Sequence, residues 1–264
     1  MGEGWFKAAF GAHYPLLYQH RDAAEAGRCI AMLQGLAPFT RRPGDLVLDL
    51  GCGDGRHLEL LFRLGIAAVG LDLSVHLLDR ARAREGGSSR YPLVRGDMRH
   101  LPLADDSFVS VLSLFTAFGY FGTPADNKAP VQEVARVLKQ GGRWYLDYFD
   151  GDRVLAELGS GSRKEREREL GPLTVREIRR YEADRSLVAK EVHLRPRSGK
   201  QEEALALGVP SQGLEYTEQV AVFTLPELDD MAAGQGLHRV AAAGGYEGQV
   251  LGEGTRWILV YQKA

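Results

Sequence analysis

The stretch "LVLDLGCGDGRHLELL", Leu46 to Leu61, constrains this chain more than any other. An apolar run ends in an acid, opens into three glycines on alternate positions and then becomes amphipathic. That pattern predicts a buried strand, a tight turn and a helix. Such a turn uses glycine for its backbone angles and for close approach of a ligand to the main chain, and the helix start offers free N–H groups. The dinucleotide fingerprint G-x-G-x-x-G, counted from Gly51, needs its third glycine where Arg56 stands. The spacing is wrong for the usual nicotinamide or flavin turn. Asp49 before the turn and Asp54 inside it suit a ligand bearing positive charge better than a diphosphate, with Arg56 a partial offset.

From Leu46 to Phe149, short β-rich runs alternate with amphipathic ones, the pattern of a parallel sheet with helical crossovers. Strands are predicted at Leu46–Leu50, Ala67–Asp72, Leu93–Asp97, Phe108–Phe115 and Arg143–Phe149. A helix over Arg56–Leu64 turns Leu58, Leu61 and Phe62 to one face. Ser74 caps a second helix. A third, Lys128–Leu138, stops at Gly141-Gly142. Thr224 and Pro226 open a further helix ended by Gly236, and the last strands, His238–Gly244 and Thr255–Tyr261, form an antiparallel pair at the sheet's edge.

Between these regions the pattern changes. "RKERERE", Arg163 to Glu169, has no apolar face and predicts a solvated helix or loop. "TVREIRRYEADRSLVAKEVHLRP" predicts two strands around Asp184-Arg185, and "LEYTEQVAVFT" a third. The fold class is therefore α/β: a doubly wound, Rossmann-like, mostly parallel seven-stranded sheet with an antiparallel edge strand, plus a small antiparallel β insertion. Residues 1–45 form an N-terminal helical cap, 46–149 with 224–264 the Rossmann-like domain, and 150–223 an inserted lid.

Composition limits the function classes. A formal charge of -2 argues against a surface built to grip nucleic acid. No apolar stretch reaches the roughly 20 residues of a membrane span, and the N-terminus makes a poor signal peptide, so a cytoplasmic protein without membrane attachment is expected. Cys29 and Cys52 are too few for a disulfide framework, and nothing beside Cys52 activates its thiol. His13, His20, His57 and His100 lack metal-ligand spacing, so no metal is expected and each reads as a surface or hydrogen-bonded histidine.

"VLDLGCGDGRH" resembles the first motif of class I S-adenosylmethionine-dependent methyltransferases. "VRGDMRHLPLADDSFVSVLSLF" and "EVARVLKQGGRWYLDYF" are similar to later parts of that fold, so the resemblance covers Leu46 to Phe149. It implies S-adenosyl-L-methionine as cofactor, leaving as S-adenosyl-L-homocysteine. Asp49, Gly51, Cys52 and Gly53 would serve its methionine part. Asp72, with Leu73 beside it, would take the ribose hydroxyls; Asp97, Met98 and Leu114 would surround the adenine.

The N-terminal aromatics Trp5, Phe6, Ala9, Phe10, Tyr14, Leu17 and Tyr18 fall at near-helical intervals. "WFKAAFGAHYPLLYQHRD" resembles the leading segment of a bacterial small-molecule subgroup, distantly similar to glycine and sarcosine N-methyltransferases, in which an N-terminal helix closes over the cofactor. That adds Tyr14, Tyr18 and Arg21 as cofactor contacts. It also implies that the insertion roofs the acceptor pocket, opposite "SLFTAFGYFG", Ser113 to Gly122. Tyr120, Asp147, Tyr148 and His193 are acceptor-site candidates, each with a structural role as the competing reading.

The expected partner is a small-molecule methyl acceptor. An RNA or protein methyltransferase is the alternative, motivated by the arginines of Arg163 to Arg180. A non-catalytic cofactor-binding regulatory module is the alternative of another class, motivated by the lack of a recognisable acceptor motif.

Overall fold

The computed structural model describes residues 9–18, 23–40, 42–84, 91–122, 126–159 and 161–264. The strands are β1 Val47–Leu50, β2 Ala68–Asp72, β3 Leu93–Arg95, β4 Phe108–Ser113, β5 Leu138–Phe149, β6 Lys164–Leu170, β7 Leu173–Glu182, β8 Leu187–Pro196, β9 Leu214–Ala221, β10 Leu237–Ala243 and β11 Arg256–Lys263. The helices are α1 Tyr14–Leu17, α2 Ala23–Leu36, α3 Arg56–Arg63, α4 Val75–Ala83, α5 Lys128–Val137, α6 Gly151–Leu158, α7 Gln201–Ala206 and α8 Leu225–Ala233.

A seven-stranded sheet runs in the order β10-β11-β5-β4-β1-β2-β3. β1 to β5 pair in parallel, whereas β11 runs antiparallel to both β5 and β10. The strand of reversed direction is thus the penultimate one. Alternation divides the core between the two faces, because successive side chains on a strand point oppositely. Leu48, Leu50, Trp144, Leu146, Tyr148, Leu259 and Tyr261 pack with Val131 and Val134 of α5 and Leu228 of α8. Val47, Leu112, Tyr145, Ile258 and Val260 pack with Ile30 and Leu33 of α2 and Leu58 and Leu61 of α3. β2 and β3 lie on one side of β1 and β4 on the other, so the chain order reverses beside β1. Open α/β sheets place ligands at the carboxyl ends of the strands at such a reversal.

The second sheet is an antiparallel meander, β6-β7-β8-β9. Leu173, Val175, Val192, Leu194 and Tyr216 on one face pack against Ala9, Leu17, Ala204 and Val209. It is tied to the first sheet where Ala221 N–H donates to the Gly119 carbonyl at 2.7 Å.

Several local expectations need correction. The charged run at Arg163 to Glu169 is a strand rather than a helix or loop, because its charges find cross-strand partners on β7. Arg168 pairs with Glu177 at 2.6 Å and Glu165 with Arg176 at 2.5 Å. Helix α5 ends at Val137, before the glycine pair, and β5 starts at once. Gly141 instead takes φ +71° near a register irregularity between β4 and β5. Phe62 is 41% exposed and does not join Leu58 and Leu61 in the core. α6 and α7 were not legible as helices; α6 starts from Asp150, whose side chain accepts the Arg153 N–H at 2.9 Å.

Ser74 does cap α4, accepting the Leu77 N–H at 3.3 Å. Thr224 and Glu227 complete a reciprocal capping box on α8. Thr224→Ala should lower the unfolding free energy by about 1 kcal/mol in urea denaturation, the usual worth of an N-cap oxygen.

Candidate cofactor and acceptor site

Asp147 organises the carboxyl edge of the large sheet. Its side chain is completely buried on β5 and pairs with Arg256 of β11, Nε to Oδ1 2.5 Å. Its Oδ2 accepts the Phe115 N–H at 2.7 Å and the Tyr246 hydroxyl. Its carbonyl accepts the Thr116 N–H at 3.0 Å, and Arg256 Nη2 donates to Thr116 Oγ1 at 2.9 Å. These bonds hold Phe115 and Thr116 at φ 55° and 59°. Left-handed backbone costs a side-chain-bearing residue about 1 kcal/mol or more, and such strain persists where the surroundings overdetermine it. Arg56 lies 3.9 Å from the Phe115 ring centroid, and His57 stacks on the ring at 5.6 Å. The strained turn then brings Ala117 onto the glycine loop: a Cβ on Gly51 would meet the Ala117 Cβ at 2.7 Å.

The glycine loop follows β1 as the sequence implies. Gly51, Gly53 and Gly55 have φ 81°, 56° and 78°, conformations that exclude most other residues. Gly51 and Cys52 N–H both point at the Leu71 carbonyl, at 2.8 and 3.1 Å. Gly53 N–H donates to Asp72 Oδ2 and Ser74 N–H to Asp72 Oδ1, each at 2.8 Å. Asp72 therefore braces the loop from the end of β2. Burial pushes its carboxyl above the ordinary value, against the backbone donors of Ser74, Gly53 and Leu73.

Asp49 is 1% exposed, and its Oδ2 has no hydrogen-bond partner among the described residues. Burial raises its carboxyl to about 7; Arg56 opposes the rise and Asp72 adds to it. Cys52 is a buried thiol held well above its ordinary value by burial and by Asp49 and Asp72, so it packs rather than reacts. Arg84 neutralises Asp54 at 2.6 Å.

The remaining candidates are placed unevenly. Leu73 is 39% exposed beside Asp72, and Leu114 is buried at the end of β4. Asp97 is held below the ordinary carboxylate range by its hydrogen bonds to Arg99, whose Nη2 lies 2.7 Å from Oδ2. Met98 packs against the core. Tyr14 and Tyr18 lie with tilted rings 4.7 Å apart, Tyr14 meets Phe10 edge-on at 5.1 Å, and Phe10 lies 6.0 Å from Tyr120 after β4. This segment is anchored by Ser74 Oγ, which donates to the Phe10 carbonyl at 3.3 Å. Arg21, Trp5, Phe6 and His20 lie outside the described residues.

Two acceptor candidates are engaged elsewhere: Asp147 in the buried hub, and Tyr148, whose hydroxyl donates to the Ala221 carbonyl in the core. His193 faces Glu215, at 3.2 Å, on the opposite side of β8 from Lys190, which meets Tyr18. The structure therefore does not bring His193 to Tyr14 and Tyr18. His13 and His57 are buried rather than on the surface.

Arg256 and Tyr246 were missed, although one signal was present. "WYLDYF" and "TRWILVY" each carry a single charge in or at the head of an apolar strand, and opposite buried charges demand pairing. Asp147→Ala should cost about 3 kcal/mol or more in urea denaturation, since it strands Arg256 and the Phe115 N–H. Gly51→Ala should disturb the loop on two counts, its positive φ and its contact with Ala117, and reduced protection of Gly51–Gly55 in hydrogen exchange would register it.

Comparison with known proteins agrees with this architecture. Residues 47–142 match the family model described as a methyltransferase domain. A demethylmenaquinone methyltransferase of Corynebacterium kroppenstedtii is 38% identical over 102 residues, 39% of this chain and 41% of that protein. A dTDP-3-amino-3,4,6-trideoxy-alpha-D-glucopyranose N,N-dimethyltransferase of Streptomyces venezuelae is 33% identical over 154 residues, 55% of this chain and 62% of the relative. The chain thus spans less than two thirds of these relatives' length. The fold extends further: a S-adenosylmethionine-dependent methyltransferase of Clostridium acetobutylicum superposes with TM-score 0.73 at 17% identity, covering 95% of both chains. The glycine loop at the switch point thus stands within residues that match a methyltransferase domain, and the chain shares its Rossmann-like fold with the Clostridium acetobutylicum protein.

Proposed function

We propose that the protein transfers a methyl group from S-adenosylmethionine to a small-molecule acceptor. The observation that carries the reading is Asp49, a buried acid with an unpaired oxygen beside a glycine loop at the switch point. An ionised carboxylate there is unfavourable without a cation, and S-adenosylmethionine carries an ammonium and a sulfonium. The residues present fit that group. Asp49 and the loop Gly51–Gly53 would hold its methionine end. Asp72 has lone pairs left over from its two backbone bonds to accept from the ribose diol. Asp97, Met98 and Leu114 would border the adenine, with Tyr14 and Tyr18 over the opening.

The bound group supplies an electrophilic methyl. The chain's own part is to orient the acceptor behind that carbon and to exclude water, and good positioning alone accounts for large accelerations. In this reading residues 1–45 act as a cap and 150–223 as a lid over the acceptor. The Streptomyces venezuelae relative, by its name, dimethylates the amine of a nucleotide-linked sugar, which supports a small acceptor. Arg168, Arg176 and Arg180 are paired with Glu177, Glu165 and Glu182, which favours this reading over phosphate binding by the charged run. No group of three or more His, Cys, Asp or Glu is placed to hold a metal among the described residues, and no described helix is long and apolar enough to cross a membrane. A cytoplasmic site of action fits this reading.

Titration calorimetry near pH 6.5, in buffers of different ionisation enthalpy, tests the reading. Asp49 is largely protonated there, its carboxyl raised to about 7, and a neighbouring cation draws it back towards the ordinary range. S-adenosylmethionine should therefore bind with release of most of one proton. The release should vanish above pH 8, where the acid is already ionised, and in Asp49→Asn. Absence of binding would remove the proposal. Asp72→Ala should weaken binding by about tenfold or more through the lost hydrogen bonds to a charged group.

A further inference from the structure

Two buried polar atoms beside the N-terminal segment have no hydrogen-bond partner among the described residues: His13 Nε2 and the Tyr216 hydroxyl. His13 is 2% and Tyr216 8% exposed, and their rings lie 5.7 Å apart. Buried polar groups are ordinarily paired, and adjacent unpaired ones mark a place that a polar ligand completes. Neither residue has a part in the proposed cofactor seat.

The position of the pair fits an acceptor pocket. His13 lies three residues beyond Phe10, whose carbonyl is bonded to Ser74, the residue that also holds Asp72. Phe10 faces Tyr120 in the loop after β4. On the other side, Tyr18 donates to Glu218 at 3.1 Å and accepts from Lys190 at 2.7 Å. Lys190 pairs with Glu218 at 2.8 Å and Glu177 at 3.4 Å. The seam between the switch point and the four-stranded sheet is thus lined by aromatic rings, whose faces suit a cation, with Glu177 and Glu218 behind them. Lys190 and Arg168 balance the charge of those glutamates, so the buried cluster is neutral before a ligand arrives.

We propose that His13 and Tyr216 form the polar end of the acceptor pocket, that the acceptor is an amine, and that His13 Nε2 takes up the proton this amine must lose. The inference rests on the methyl-transfer reading above. In the proton step an N–H bond of the ammonium breaks, the proton bonds to Nε2, and the nitrogen keeps the electron pair. The positive charge passes to the imidazole. The Leu207 backbone is a hydrogen-bond partner of the imidazole, and Nε2 has no partner among the described residues.

Burial and His76 of α4 hold the imidazole below its ordinary value, against Leu207 and Glu218 of β9. An imidazole suits an ammonium, near 10 as for lysine, far better than a hydroxyl, which holds its proton much more tightly. Tyr216 would orient the amine by a hydrogen bond.

The test uses the whole protein with methyl-labelled S-adenosylmethionine and a metabolite extract, with products identified by mass spectrometry. The label is expected on nitrogen. With that product's parent amine, His13→Gln should lower kcat about 100-fold with little change in KM, the usual worth of a general base. It should also abolish the loss of rate on the acid side. Tyr216→Phe should raise KM about fivefold and spare kcat, as for one neutral hydrogen bond. S-adenosylhomocysteine affinity in both variants checks their folding. NMR of the wild-type protein should show the His13 imidazole titrating below about 6.5, the ordinary value. Label on oxygen or carbon, or an acid limb unchanged in His13→Gln, would overturn the inference while leaving methyl transfer intact. Binding of S-adenosylhomocysteine with no labelled product would instead overturn the methyl-transfer reading itself.

Discussion

The buried pairing of Asp147 with Arg256 is the constraint on which the site's geometry depends. A loop of ordinary residues does not hold two successive left-handed conformations by itself. Here one carboxylate binds the Phe115 N–H, an arginine and a tyrosine hydroxyl, and the arginine reaches on to Thr116. The turn so formed presses Ala117 onto Gly51. The loop after β4, proposed to border the acceptor, and the loop proposed for the cofactor are thereby fixed against each other by a charge pair between β5 and β11. β11, one strand in from the edge, thus helps to fix the turn after β4 although it is far from the glycine loop in sequence.

Among the described residues, buried polar atoms without a hydrogen-bond partner occur on Asp49, His13 and Tyr216, where the function is proposed, and also on Arg143 and His193. The two faces of the large sheet are filled mainly by aliphatic and aromatic side chains. Asp49 at the end of β1 and His13 with Tyr216 at the seam break that consistency. A protein tolerates such local losses where a ligand offsets them, and rule-breaking positions in an otherwise consistent fold tend to be functional. In the proposed reading the donor end receives a cation at Asp49, and the acceptor end a ligand that gives up a proton to His13.

The large sheet was legible from sequence because its signals are local. Apolar β-branched runs, Ser74 and Thr224 as caps and the alternate glycines each act within a few residues. Asp72 was legible for the same reason, as an acid ending a strand. What was lost depends on partners distant in sequence. The run from Arg163 reads as solvated until β7 supplies its opposite charges across the strand. Asp147 stood out as an acid in an apolar strand, but its role needed Arg256, more than a hundred residues away. His13 read as a surface or hydrogen-bonded histidine because nothing near it in sequence shows that β9 buries it. Asp97 follows β3, and Arg99, two residues on, engages its carboxylate. That pairing has no counterpart in the motif-based expectation.

A crystal structure of the protein grown with S-adenosylhomocysteine tests the central claim most directly. The account expects the ligand across the glycine loop, with its ribose diol on Asp72 and its amino end towards Asp49. It also expects the Phe115-Thr116 turn to be retained. A ligand seated elsewhere, or no ligand at saturating concentration, would contradict it.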